Sequence, residues 1–216
     1  MFVPTTFEIQ PESTAFLVVD MQRDFLAPGA PYENAIGREA VETINRVSTV
    51  CRAQGIPVIF TAQAHRADGS DIGRVGVLHP VTASGQALRE STPGVELYPT
   101  LEVEPTDHII TKRRFSAFFG TDLEVLLRGL GVTLLIVAGV AGNVCCESTI
   151  RDAFYRDFEV IYLSDATGPA PLADRGWGAF DEDSVHRYVL TMVSTFFGEV
   201  AESGDVLARI ASASHR

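Results

Sequence analysis

Cysteine is scarce in this 216-residue chain, with three at positions 51, 145 and 146. Two of them are adjacent and cannot easily bridge, so no disulfide framework is expected and a reducing, cytoplasmic setting is predicted. Positive charge is also in short supply. Lys and Arg number 17 against 28 Asp and Glu, a net charge of −11, which argues against unassisted binding to nucleic acid or to an anionic membrane. No run of 18 apolar residues occurs, so no membrane-spanning helix is predicted. The stretch Met1-Phe-Val-Pro-Thr-Thr-Phe-Glu8 lacks the basic-then-apolar order of a secretory signal. What is present, 46% hydrophobic and 21% charged residues, is a globular balance. The length fits one domain over 1–216 with a large core.

Short apolar runs alternate with helical spacing along the chain. Strands are predicted at 15–20, 57–61, 107–112, 132–138, 159–163 and 193–197. A helix is predicted over 35–53, where Ile36, Ala40, Val41, Ile44, Val47, Val50 and Cys51 fall on one face. Others are predicted over 121–128, opened by a Thr121…Glu124 capping box, then from Asn143 to about 158, and over 181–190 and 203–211. The glycine- and proline-rich stretch 63–100 reads as a long functional excursion. Regular alternation of this kind predicts an α/β domain in which a six-stranded, mostly parallel sheet lies between two helical layers. Ligands of such sheets bind beyond the carboxyl ends of the strands.

That rule selects Asp20 after strand one, Lys112 after strand three and Cys145 after strand four. The stretch Leu135-Ile-Val-Ala-Gly-Val-Ala-Gly-Asn-Val-Cys-Cys-Glu-Ser-Thr149 runs from buried strand through a glycine turn into a helix. With Asn143 as N-cap, Cys145 sits in the first turn, where the helix dipole and unpaired N–H groups favour thiolate. A pKa between roughly 3.5 and 7.5 is expected on that ground. Chemically the three fit a nucleophile, a proton carrier and a stabilising cation. The amides of Ala141 and Cys145 are the candidates for holding an oxyanion. Cys146 reads as a helix-packing residue.

Three motifs then carry a resemblance. They are Val18-Val-Asp-Met-Gln-Arg-Asp-Phe25, Lys112-Arg-Arg-Phe-Ser-Ala-Phe-Phe-Gly-Thr-Asp-Leu123 and Gly139-Val-Ala-Gly-Asn-Val-Cys-Cys-Glu-Ser-Thr149. Together they resemble the isochorismatase-like cysteine hydrolases. The resemblance implies an Asp–Lys–Cys triad at Asp20, Lys112 and Cys145, a cis peptide at Val140-Ala141, and a homodimer or homotetramer. Two positions depart from the family pattern: Gly142 replaces the usual Thr, which is expected to loosen the turn, and Cys146 replaces Val.

Metal-binding relatives carry an Asp-x-His element where this chain has Gln63-Ala-His65, followed by His79. Glutamine is a poor anionic ligand, so neither metal nor cofactor is expected. Gln22, His65, Ser116 and Phe118 are candidate substrate contacts. Phe115, Phe119, Tyr98 and Trp177 are further candidates for a pocket wall, and Arg113 and Arg114 for attracting a carboxylate. The expected activity is hydrolysis of a C–N bond in a small linear amide or ureide through a thioester, with an N-carbamoyl, biuret-like or ureidoacrylate-like compound as substrate. The alternatives are a metal-dependent nicotinamidase, an isochorismatase-type ether hydrolase, and a non-catalytic ligand-binding module. A dinucleotide site is excluded by the lack of G-x-G-x-x-G after strand one.

Overall fold

A computed structural model describes residues 5–213. The stretch read for a secretory signal lies partly outside them. Six strands form one sheet in the order β3-β2-β1-β4-β5-β6, with every pair parallel. They are β1 (Thr14–Val19), β2 (Val58–Gln63), β3 (His108–Lys112), β4 (Leu134–Val140), β5 (Glu159–Gly168) and β6 (Glu199–Ala201). The chain builds outward from β1 to β3, then returns to lay β4 against the free side of β1. A crevice therefore opens beyond the carboxyl ends of β1 and β4.

Strand periodicity assigns the two layers. In β1, Phe16 and Val18 point to one core and Ala15, Leu17 and Val19 to the other. In β4, Ile136, Ala138 and Val140 join the first core while Leu135 and Val137 join the second. All residues of both strands are buried, which is why they read as unbroken apolar runs rather than alternating ones. Each fully buried Val, Leu, Ile or Phe contributes about 1.5–3 kcal/mol.

The helices are α1 (Arg23–Leu26), α2 (Ala35–Glu39), α3 (Val41–Ala53), α4 (Val75–Leu78), α5 (Pro80–Ala83), α6 (Leu123–Gly129), α7 (Glu147–Phe154), α8 (Glu182–Phe196) and α9 (Ser203–Ala213). The first core is covered by α3 through Val41, Ile44, Val47 and Cys51, and by α9 through Val206 and Ile210. The second is covered by α6, α7 and α8 through Leu123, Leu127, Ile150, Ala153, Val185, Val189 and Val193.

Several boundaries differ from the sequence expectation. The helix predicted over 35–53 is two helices meeting at Ala40, and Ile36 lies 38% exposed rather than on the buried face. The strand predicted over 193–197 is the end of α8. Val185, Val189 and Val193 repeat every fourth residue, so the apolar run continues a helical face. The sixth strand follows at Glu199–Ala201, too short and too polar to register as an apolar run. The predicted capping box does not form: Thr121 Oγ1 donates to the Ala117 carbonyl, and Glu124 pairs with Arg156 instead. Asn143 is not an N-cap. Gly142–Cys146 form a single π-type turn before α7, and the Asn143 amide exchanges two hydrogen bonds with the backbone of Ala170.

Candidate active site

Asp20 closes β1 in a left-handed conformation, φ 51°, which turns the chain at the strand end. Val19, just before it, lies opposite Gly139 of β4, φ 118°. A Cβ there would lie 2.1 Å from the Val19 carbonyl oxygen, so only glycine allows the two strand ends to approach. The cis peptide implied by the resemblance is found at Val140-Ala141. The Ala141 carbonyl accepts from the N–H groups of Val144 and Cys146 at 3.0 and 3.1 Å, closing the turn that presents Cys145.

Lys112, Asp20 and Cys145 meet at the crevice, with exposures of 0%, 0% and 3%. Lys112 Nζ is 2.7 Å from Asp20 Oδ2. The other Asp20 oxygen accepts from the Thr61 hydroxyl at 2.6 Å, and that hydroxyl accepts from the Asp20 N–H at 3.1 Å. Asp20 and Lys112 are the two charged groups that act on the Cys145 thiol. Lys112 also donates to Gln63 Oε1 and to the Arg114 carbonyl, each at 3.0 Å. Cys145 Sγ donates to the same Gln63 oxygen at 3.7 Å.

Gln63 and Thr61 were not among the candidate site residues. The signal was available. Gln63 ends β2, opposite Lys112 in register, and β2 lies between β1 and β3. The strand-end rule therefore points to position 63 as directly as to 20 and 112.

The expected thiolate is overturned. Burial pushes the Cys145 thiol up to about 12, with Lys112 opposing and Asp20 reinforcing that rise. Lys112 is already paired with a carboxylate, so its field on the sulfur is largely offset. Burial works against the Lys112 ammonium, but Asp20 and then Cys145 outweigh it and its pKa rises. The resting state is an ion pair beside a neutral thiol. Cys146 is fully buried beside Tyr162, and burial also holds its pKa well above the ordinary value. Gly142 does not leave the turn loose. A Cβ at this position would lie 2.9 Å from Tyr162 Oη, so the tyrosine occupies the space a side chain would need.

A cavity of about 370 Å³ opens over Cys145. Ala141, Cys145 and Gln63 form its floor, and its walls include Phe25, Leu88, Phe115, Val144 and Leu172. Phe115 is the one member of the predicted aromatic wall that lines it. Trp177 and Phe119 are 91% and 61% exposed, and Tyr98 packs against the first core.

None of the four predicted substrate contacts lines this cavity. Gln22 spends its amide on backbone, donating to the carbonyls of Gln63 and Val95 and accepting from the Gln63 N–H. Ser116 Oγ accepts from the Phe118 N–H at 3.1 Å. Phe118 is a core residue, its ring 5.8 Å from that of Phe158. His65 is fully buried, with Nδ1 3.5 Å from Asp71 Oδ1 and Nε2 3.5 Å from the Gln63 amide nitrogen. Burial lowers its pKa against the opposing pull of Asp71.

The arginines expected to attract a carboxylate are engaged elsewhere. Arg113 pairs with Asp71 at 3.0 Å and with Glu90. Arg114 donates to the carbonyls of Asp71 and Arg113. Among the described residues no group of three or more His, Cys, Asp or Glu is arranged to hold a metal ion. The Gln63-Ala-His65 element does not suit one. The Gln63 oxygen already accepts from an ammonium, and His65 Nδ1 faces a carboxylate.

The Isochorismatase domain family matches residues 14–205. The ureidoacrylate amidohydrolase RutB of Methylobacterium radiotolerans is 31% identical over 92% of this chain and 80% of its own. That of Acinetobacter baylyi is 30% identical over 93% and 84%. Among solved structures, a cysteine hydrolase from Pseudomonas syringae pv. phaseolicola superposes with a TM-score of 0.95 at 37% identity, covering 98% of this chain and 99% of that one.

Proposed function

The chain belongs to the isochorismatase family, and on that footing we propose that it is a cysteine-dependent amidohydrolase cleaving a C–N bond of a small linear amide or ureide. Relatives named as ureidoacrylate amidohydrolases and as a cysteine hydrolase support the reaction class. The observation that carries the assignment to this site is the convergence of Asp20, Lys112 and Cys145 beneath one cavity.

Because the thiol rests neutral, attack and proton transfer are coupled. Cys145 sulfur bonds to the carbonyl carbon as its proton passes to Asp20. The carbonyl oxygen becomes an oxyanion and takes the amides of Ala141 and Cys145 as donors. Collapse breaks the C–N bond, and the leaving nitrogen takes the proton from Asp20 and departs as ammonia or an amine. Water then attacks the thioester and gives a proton to Asp20. The C–S bond breaks, the acid leaves, and Asp20 returns the proton to sulfur. Lys112 stays paired with Asp20 between these transfers, and Gln63 holds Lys112 and the thiol to one carbonyl oxygen.

The test is ammonia release with a thioester trap. Cys145→Ala should lose several orders of magnitude in kcat, and peptide mass spectrometry of the wild-type protein quenched with a slow amide should show the acyl adduct on the peptide containing Cys145. Cys146→Val should keep most activity. If only the Cys146 variant lost turnover, the nucleophile is misassigned. A fully competent Cys145→Ala protein would refute the cysteine mechanism. We also place the protein in the cytoplasm as a homodimer or homotetramer. Three free thiols and the exposed aromatic cluster Phe154, Tyr155 and Phe196 support that reading, and light scattering of the purified protein tests the oligomer.

A further inference from the structure

We infer that this site selects an uncharged amide or ureide with an apolar body and discriminates against substrates that end in a carboxylate. The inference rests on the amidohydrolase reading above and narrows its substrate.

The cavity is larger than a scissile amide alone needs, about 370 Å³, which is in the range that encloses a substrate with a body beyond its reacting group. That body would meet Phe25, Leu88, Phe115, Val144 and Leu172, with Pro31 and Pro171 at the margin. Neither lysine nor arginine lines the cavity among the described residues. Lys112 lies beneath the floor, its charge matched by Asp20 at 2.7 Å. Arg113 and Arg114 are turned to Asp71, Glu90 and backbone carbonyls. The charged lining group is Glu33, an anion held by the Gly29 N–H and by Arg38 at 2.9 Å. The lining hydroxyls of Tyr32 and Thr82 bond to each other at 2.6 Å, and His79 lies edge-on to Phe115.

A carboxylate entering this space would lose water without gaining an unpaired cation, since Lys112 is matched by Asp20 and the nearest lining charge, Glu33, is a carboxylate matched by Arg38. Burying an unpaired charge is costly, whereas an alkyl or aryl group in the same place gains from burial. The net charge of −11 adds repulsion on approach.

The experiment compares matched pairs with the wild-type enzyme at about pH 8.5, where imidazole is uncharged. Each pair differs by a carboxylate against an isopropyl group of similar shape: N-carbamoyl-β-alanine against isopentylurea, and adipamate against 6-methylheptanamide. Ammonia release should give kcat/KM at least about tenfold higher for the neutral member of the pair that is turned over faster. A ratio below tenfold, or a preference for the carboxylate, overturns the inference and leaves the amidohydrolase reading standing. No ammonia from any of the four compounds overturns that reading and the inference with it.

Discussion

Replacing Lys112 by Met keeps most of the side-chain volume and removes the ammonium from a pair whose members are both fully buried and 2.7 Å apart. Asp20 is left with the Thr61 hydroxyl and no cation. Breaking a buried pair from one side costs about 3–5 kcal/mol. At roughly 2–4 °C per kcal/mol for a chain of this length, Tm should fall by ~6–20 °C. Adding Asp20→Asn removes the second charge, and replacing a buried pair by uncharged groups is close to neutral. Gln63 Oε1 and the Arg114 carbonyl each still lack the donor they had at 3.0 Å, so the double variant should remain about 1–2 kcal/mol below wild type. Urea unfolding of the four proteins should therefore give a coupling energy of at least about 2 kcal/mol. Activity should not follow stability. The refolded double variant has no proton acceptor and should stay at least ~10³-fold down in kcat/KM. Additive destabilisation, or a Lys112→Met protein as stable as wild type, would refute the claim that these charges sustain one another in the fold.

Gly139→Ala places a Cβ 2.1 Å from the Val19 carbonyl oxygen at φ 118°, so a loss of more than about 4 kcal/mol is expected. Soluble yield and Tm read it directly, and a near-normal Tm would show that β1 and β4 can separate at the site. Gln63→Ala frees Lys112 and the thiol from their shared acceptor. It should lower kcat by roughly ten- to a hundredfold with little change in KM, and a pure KM effect would instead make Gln63 a substrate contact. Alkaline stability tests the buried thiols, since burial pushes both Cys51 and Cys145 up to about 12. A raised thiol contributes in full below its unfolded pKa and loses that contribution as pH climbs toward the folded value. Between about pH 9 and 12 each should remove about 1.4 kcal/mol per pH unit. Under reducing conditions, Cys51→Val should flatten that slope by one thiol's share, and an unchanged slope would count against a buried, neutral Cys51.

The architecture was legible because β1, β2 and β4 are buried on both faces and so appear as uninterrupted apolar runs between helical spacings. Where the reading failed, an apolar residue served either period equally well. Val193 to Phe197 satisfies a strand template locally, and only the spacing back to Val185 and Val189 reveals the helix. Inside α2, Gly37 is held close against the end of β4. A Cβ there would meet Val140 at 2.2 Å, a contact between residues a hundred positions apart that no local pattern encodes.

The same distinction divides the site. Asp20, Lys112 and Cys145 stand out because strand ends are local features and the parallel sheet aligns them. The expected substrate contacts lie off the cavity because a polar or aromatic side chain near a strand end has two destinations. Gln22 and Ser116 serve backbone and Phe118 serves the core. Gln22 is claimed by the backbone of Gln63 and Val95, Ser116 by the nearby Phe118 N–H, and Phe118 by the ring of Phe158. The thiol's protonation follows the same logic. A helix start favours thiolate in isolation, but the sulfur is 3% exposed and its nearest cation is committed to a carboxylate. Burial therefore outweighs the dipole. Moving Asp20 away from Lys112 would leave more of the ammonium's field to the sulfur without relieving its burial, and would remove the base that later carries the leaving group's proton.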